Sequence, residues 1–198
     1  MNDVTLTQEQ IDELGEIANI SMGHAATTLG AIVRKRVDIT APKVETIKRS
    51  AALDDYEDTC IFVQVHYIEG LSGNNVFIMK EPDVLCLTDL MMGGPGNSEG
   101  TVSELHLSAI SEAMNQMMGA SATSMASMLR TKVDISTPTL SSIDVESVKQ
   151  FEKMFDSEKD LFVKISFRIQ VGDLIDSTMV QLYPVEFALE MCDIFRQN

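Results

Sequence analysis

Ile11, Leu14, Ala18, Met22, Ala25, Leu29 and Ile32 recur at three- and four-residue spacings, the period of one buried helix face. The pattern predicts a helix from Thr5 to about Lys35, with Thr7 and Gln10 spaced as a capping box and Thr5 with Gln8 as the alternative register. Arg34, Lys35 and Arg36 are expected in its last turn, where cations suit the negative end of the dipole. VDITAP then breaks to extended chain, because the residue before a proline is pushed out of the α region. Val44 to Ile47 can continue as a strand. Residues 50–58 (SAALDDYED) read as an acidic loop. Ile61, Val63, Val65 and Tyr67 alternate with polar positions, the period of a half-buried strand. GLSGNN is a turn, and VFIMK the second arm of a hairpin. Pro82 opens a short helix, PDVLCLTDLMM. GGPGNSEGT (93–101) is the clearest linker in the chain.

The same order of patterns then returns. Asp12–Pro42 and Ser108–Pro138 align without a gap at an offset of 96 residues, so that Glu16 falls on Glu112, Asn19 on Asn115, Gly23 on Gly119 and Pro42 on Pro138. A period of half the chain means a duplicated domain rather than a solenoid. Thr101 with Glu104 gives the second long helix a capping box. Residues 162–169 alternate as a strand, a turn near Gly172 leads to STMVQLY, and Pro184 opens a terminal helix. The offset widens to about 104 by that helix, which puts the insertions in loops. The expected fold is α/β (α+β), with antiparallel strands from both halves in one sheet and helices against it. Residues 1–198 read as a single domain made of two repeats, about 1–98 and 99–198.

Charge narrows the partners. Thirty acids against 15 bases leave a net −15. That disfavours nucleic acid, whose phosphates need a basic footprint, and anionic lipid for the same reason. Cys60, Cys86 and Cys192 are too scattered for a zinc or disulfide framework and read as reduced thiols of a cytosolic protein. His24, His66 and His106 are dispersed as well, so no metal site is expected. The amino-terminal residues have neither the basic flank nor the apolar run of a signal peptide. No apolar stretch is long enough to span a bilayer.

Asp12, Glu16 and Asn19 lie at i, i+4 and i+7, as do Ser108, Glu112 and Asn115, so each set shares one helix face. Asn is a mediocre mid-helix residue because its amide competes for the backbone, and the cost is a few tenths of a kcal/mol. Its retention at one place in two diverged helices points to a shared task. A Glu and an Asn on a helix are also ordinary solvated surface, and spacing alone leaves both readings open. Gly23, Ala26, Thr27 and Gly30, matched by Gly119, Ala122, Thr123 and Ala126, read as a small-residue stripe for close packing. Met114, Met117, Met118, Met125 and Met128 read as core filling. No Ser/His/Asp or Cys/His arrangement keeps register with the repeat.

The pattern Asp/Ser-x3-Glu-x2-Asn-x22-Pro resembles the signature of the CheC, CheX and FliY family of chemotaxis phosphatases. It is met at Asp12, Glu16, Asn19 and Pro42, and again at Ser108, Glu112, Asn115 and Pro138. The resemblance covers essentially the whole chain, and the second copy looks most like the motor-switch branch. It implies a pseudo-two-fold domain with a six-stranded antiparallel sheet, two long helices and two shorter ones. It also implies hydrolysis of the aspartyl phosphate of the response regulator CheY. In that chemistry Asn19 and Asn115 would orient the attacking water and Glu16 and Glu112 would pair with a CheY lysine. Asp12, Ser108, Pro42 and Pro138 would support the motif. The chain would need no cofactor of its own, the Mg2+ belonging to CheY. Further expected partners are FliM, FliN and FliG for a motor-switch member, at the cytoplasmic face of the flagellar basal body, or CheD for a CheC-type member. Motor-switch members typically continue into a FliN-like domain, so a catalytic piece of a longer protein and a free-standing CheC-like protein both remain open.

Overall fold

The computed structural model describes residues 5–54, 56, 58–143 and 160–198. Its first helix, α1 (Gln8–Val33), starts at the predicted Thr7/Gln10 capping box: Thr7 Oγ1 accepts from the Gln10 amide, and the Thr7 amide donates to Gln10 Oε1. It ends earlier than predicted. Arg34 adopts the left-handed conformation at the C-cap, so the three basic residues lie beyond the last turn rather than in it. At Gly30 the chain folds back closely on the helix: a Cβ there would sit 2.9 Å from the Lys35 carbonyl oxygen.

β1 (Val37–Lys48) runs straight through Pro42. A 3₁₀ turn (Arg49–Ala51) follows, then β2 (Cys60–Glu69), β3 (Gly73–Lys80) and α2 (Glu81–Met91). The second half gives α3 (Glu104–Leu129), β4 (Asp134–Ile135), β5 (Thr139–Ile143), β6 (Leu161–Val171), β7 (Ile175–Pro184) and α4 (Val185–Arg196). The Thr101/Glu104 cap does not form. α3 starts at Ser103, whose amide donates to His106 Nδ1 over 3.0 Å. Residues 144–159, across which the offset between the copies widens, lie outside the described residues.

The strands form one antiparallel sheet in the order β1-β6-β7-β3-β2-β4, with β5 also paired to β2. Each half's first strand therefore crosses to the other half's hairpin: β1 pairs with β6, and β4 and β5 pair with β2. The hairpins meet at the centre, where Phe77 pairs with Gln181, its own counterpart in the repeat, on the pseudo-two-fold axis. The six expected strand positions are all filled. The one on the β2 edge is split in two around Pro138, which makes seven segments.

Pro42 sits in the edge strand β1, where a missing N–H breaks no interior ladder, and Pro138 lies in the break between the segments β4 and β5. At Pro42 the β1–β6 register shifts between Thr40 and Lys43. Near Pro138 the ladder is replaced locally, the Ser136 amide donating to the His66 carbonyl and Ser136 Oγ accepting from the His66 amide.

The main core lies between the sheet and the helices. Leu14, Ile17, Met22, Ala25 and Leu29 of α1 and Ile110, Met114, Met117, Met118 and Met125 of α3 are buried in it, as the methionine stripe predicted. A second cluster fills the opposite face of the sheet: Ala52, Leu53 and Tyr56 lie over Phe62, Ile78, Phe162 and Leu182. The stretch read as an acidic loop therefore supplies an apolar cover as well. α4 closes the other end. Arg196 bridges Glu13 and Glu9 at the start of α1, while Asn198 Nδ2 donates to the carbonyl of Leu129 at the end of α3. One end of the molecule thus holds the beginning of α1 and the end of α3, so the long helices run antiparallel.

The linker between the halves is held rather than loose. Asp89 Oδ2 accepts from the amides of Gly96 and Asn97 at 2.8 and 2.7 Å. Bonds to a charged acceptor are worth about 1.5–3 kcal/mol when they form in folding. Asp89→Ala is expected to cost about 2 kcal/mol, read as a fall in the thermal midpoint of about 4–8 °C. A shift below about 1 °C would mean that the linker is held by other contacts.

Candidate functional site

The repeated polar residues lie on the outer faces of α1 and α3. Leu14, Ile17, Ala18 and Ser21 bury the inner face of α1, and this leaves Asp12, Glu16 and Asn19 exposed together. On α3, Ile110, Ala113, Met114 and Met117 do the same for Ser108, Glu112 and Asn115. The side chains of Glu16, Asn19 and Asn115 bond to no other described residue. Glu112 accepts from Gln116 Nε2 at 3.0 Å, and Asp12 from Gln8 Nε2 at 2.9 Å. A carboxamide on a packed helix has a fixed origin and free donors and acceptor. That suits it to hydrogen-bond something brought from outside.

The structure brings each Glu/Asn pair together on its own helix, one pair on α1 and the other on α3. Pro42 lies in β1 and Pro138 between β4 and β5, neither on a helix face. Beyond the register shift at Pro42, Val44 of the same strand faces α1 at Gly15, next to Glu16: a Cβ on Gly15 would lie 3.9 Å from Val44 Cγ2.

Other chemistry is poorly served. The small cavity beneath the helices, lined by Ser21, Ser121, Gln181 and Tyr183 among others, has a volume of about 10 Å³. That holds at most one water and no organic substrate. Burial pushes the Cys60 thiol up to about 11 and Cys192 up to about 12, and raises Cys86 as well, so none supplies a thiolate near neutral pH. Among the described residues no three His, Cys, Asp or Glu side chains gather as a metal-ligand set. His106 is occupied at the α3 cap, and His24 has no counterpart in the repeat, Ala120 standing in its place. No described helix is long and apolar enough to cross a membrane.

The small-residue stripe divides on inspection. Ala26 and Ala122 are buried and Gly30 meets backbone, as close packing requires. Gly23 and Gly119 do not follow suit. A Cβ on either would meet nothing within 4 Å. The expectation of close packing fails at these two positions, which face open space, and at Thr27 and Thr123, which are exposed.

The CheC-like family matches residues 9–45 and 105–142, the two helix-and-strand copies that carry the motif. The flagellar motor switch phosphatase FliY of Bacillus subtilis (strain 168) is 42% identical over 187 residues. That match takes in 94% of this chain but 49% of the relative, so the chain spans about half the length of that protein. The CheY-P phosphatase CheC of the same organism is 26% identical over 144 residues, which are 69% of this chain and 68% of the relative. The crystal structure of Thermotoga maritima FliY superposes with a TM-score of 0.91 at 35% identity, covering 98% of this chain and 99% of that one. With motif, fold and near-full-length similarity agreeing, the chain belongs to the CheC-like family and is similar throughout to the FliY proteins within it.

Proposed function

We propose that this chain hydrolyses the aspartyl phosphate of a phosphorylated CheY, using one Glu/Asn pair on each long helix. The observation that carries this reading is the pair of exposed, unengaged carboxamides of Asn19 and Asn115, each one turn from an acid on a rigid helix. The relatives' names, motor switch phosphatase and CheY-P phosphatase, support it.

The chemistry asks little of the enzyme. An acyl phosphate is already labile, and a hundredfold acceleration requires only about 2.7 kcal/mol off the barrier. Holding one water in line with the departing oxygen can supply that. A neutral amide suits the task, since it bonds the water without adding negative charge beside the phosphoryl group. Glu16 or Glu112 pairs with a lysine of CheY and fixes the approach. The phosphoaspartate and Mg2+ belong to CheY, and this chain contributes no ligand to the ion. The site of action is the cytoplasmic face of the flagellar motor, among switch proteins such as FliM, FliN and FliG.

The direct test follows the decay of phosphorylated CheY with and without substoichiometric chain. Turnover faster than spontaneous decay supports the reading. Unchanged decay with retained binding would leave a docking module and overturn the enzymatic proposal.

A further inference from the structure

α1 contains three glycines, and only Gly23 recurs at its counterpart, as Gly119 in α3. Opposite Gly15 the second copy has Ser111, and opposite Gly30 it has Ala126. Glycine in a helix interior is unfavourable against alanine, so its retention in both copies needs a cause. Internal packing is not that cause, because an added Cβ has open space at each. Neither residue has a positive φ, so backbone conformation is not the cause either. The surroundings are repeated too: Thr27 Oγ1 donates to the Gly23 carbonyl at 3.2 Å, and Thr123 Oγ1 to the Gly119 carbonyl at 3.0 Å.

Each glycine lies four residues after the motif asparagine and seven after the glutamate, on the same helix face. Gly23 also lines an open groove of about 440 Å³ between the helices, with Thr27, Ala120 and Thr123. An asparagine side chain is short. For its amide to reach into another protein's active site, that protein's main chain has to come down almost onto the helix beside it. A bare glycine one turn on is where a loop could do so.

We infer that Gly23 and Gly119 are clearance positions of the docking face. The phosphorylated partner of each site rests its backbone on the glycine, and this sets how deeply the neighbouring asparagine enters. The inference rests on the phosphatase reading and extends the contact surface one turn beyond the motif. These are positioning residues, since they touch the partner's chain but not the reacting atoms.

The test uses the chain carrying Gly23→Ala with Gly119→Ala, and separately Gly23→Leu with Gly119→Leu. Each variant is assayed for thermal midpoint and for kcat and KM on phosphorylated CheY. Alanine is a strong helix former and its Cβ meets open space at both positions, so the alanine pair is expected to melt higher than the parent, by about 2–4 °C per site. KM is expected to rise about tenfold for the alanine pair, and turnover to fall below detection for the leucine pair. A more stable but less active alanine pair is the outcome that a purely structural role cannot produce. If the leucine pair keeps the parent's KM while the parent is active, the clearance role is overturned and the phosphatase reading stands. If the alanine pair melts lower than the parent, the glycines serve the fold and the inference fails. If the parent itself does not accelerate decay, it is the phosphatase reading that has failed.

Discussion

Asn19→Ala combined with Asn115→Ala is expected to abolish the acceleration of CheY dephosphorylation, a loss of about a hundredfold, or roughly 2.7 kcal/mol of barrier lowering. The fold should not suffer. Both side chains are exposed and bond to no other described residue, and alanine is the better helix former by about 0.5 kcal/mol at each position. The double variant is therefore expected to melt slightly above the parent while losing activity, the usual direction when a residue is kept for function at the expense of stability. Measured turnover at the parent's rate would remove these residues from the chemistry. The single variants should each retain part of the activity, because the two pairs stand on separate helices. They should also be similar. The two sites differ in that Gln116 holds Glu112, whereas Ile20 occupies the equivalent place beside Asn19 and leaves Glu16 free. A surface hydrogen bond at i, i+4 is worth about 0.2–0.5 kcal/mol, less than about threefold in rate. Complete loss from either single change would mean that only one site works.

The candidate site was legible in the sequence because it is written twice. An exposed Glu and Asn on one helix carry no signal by themselves. Recurrence in a helix that has otherwise diverged at Gly15, Ile20 and Gly30 separates them from ordinary wet surface. The helices and hairpins were legible for a similar reason, since their apolar periods are long and unambiguous. What escaped was whatever depends on which strand lies beside which. β1 continues past Pro42 because it is an edge strand, and nothing local says that it pairs with β6 of the other half. The second core escaped because Ala52, Leu53 and Tyr56 are too few and too irregularly spaced to show a period among acids. The cap of α3 escaped because His106 takes the role in which glutamate or glutamine is the recognised residue. The glycines misled in the opposite sense, since a small-residue stripe looks the same from sequence whether its face is covered or bare.

Gly70→Ala is expected to cost about 4 kcal/mol, near the upper end for a single substitution and far more than the equivalent change at Gly172. The two glycines occupy the turns of the corresponding hairpins, both at positive φ, +81° and +50°. A left-handed backbone costs a residue with a Cβ roughly 1–2 kcal/mol, and that share applies to both. The surroundings then separate them. At Gly172 an added Cβ meets nothing within 4 Å. At Gly70 it would fall 1.8 Å from the carbonyl oxygen of Lys132 and 2.9 Å from its carbonyl carbon, on the short connection from α3 to β4. Backbone there has to give way, and it is tied on both sides. Lys132 Nζ bridges Glu69 at 2.9 Å, and Asp134 pairs with Glu69 across the ladder. The thermal midpoint of Gly70→Ala is therefore expected to fall by about 8–16 °C, against about 2–8 °C for Gly172→Ala. Gly70→Asn separates the two contributions. Asparagine tolerates the left-handed region but keeps the Cβ, so it should be nearly as damaging as alanine if the collision with Lys132 dominates, and close to wild type if backbone strain does. The geometry favours the collision, because a contact of 1.8 Å between heavy atoms cannot be relieved by a change of side-chain rotamer when both partners are main chain or attached directly to it.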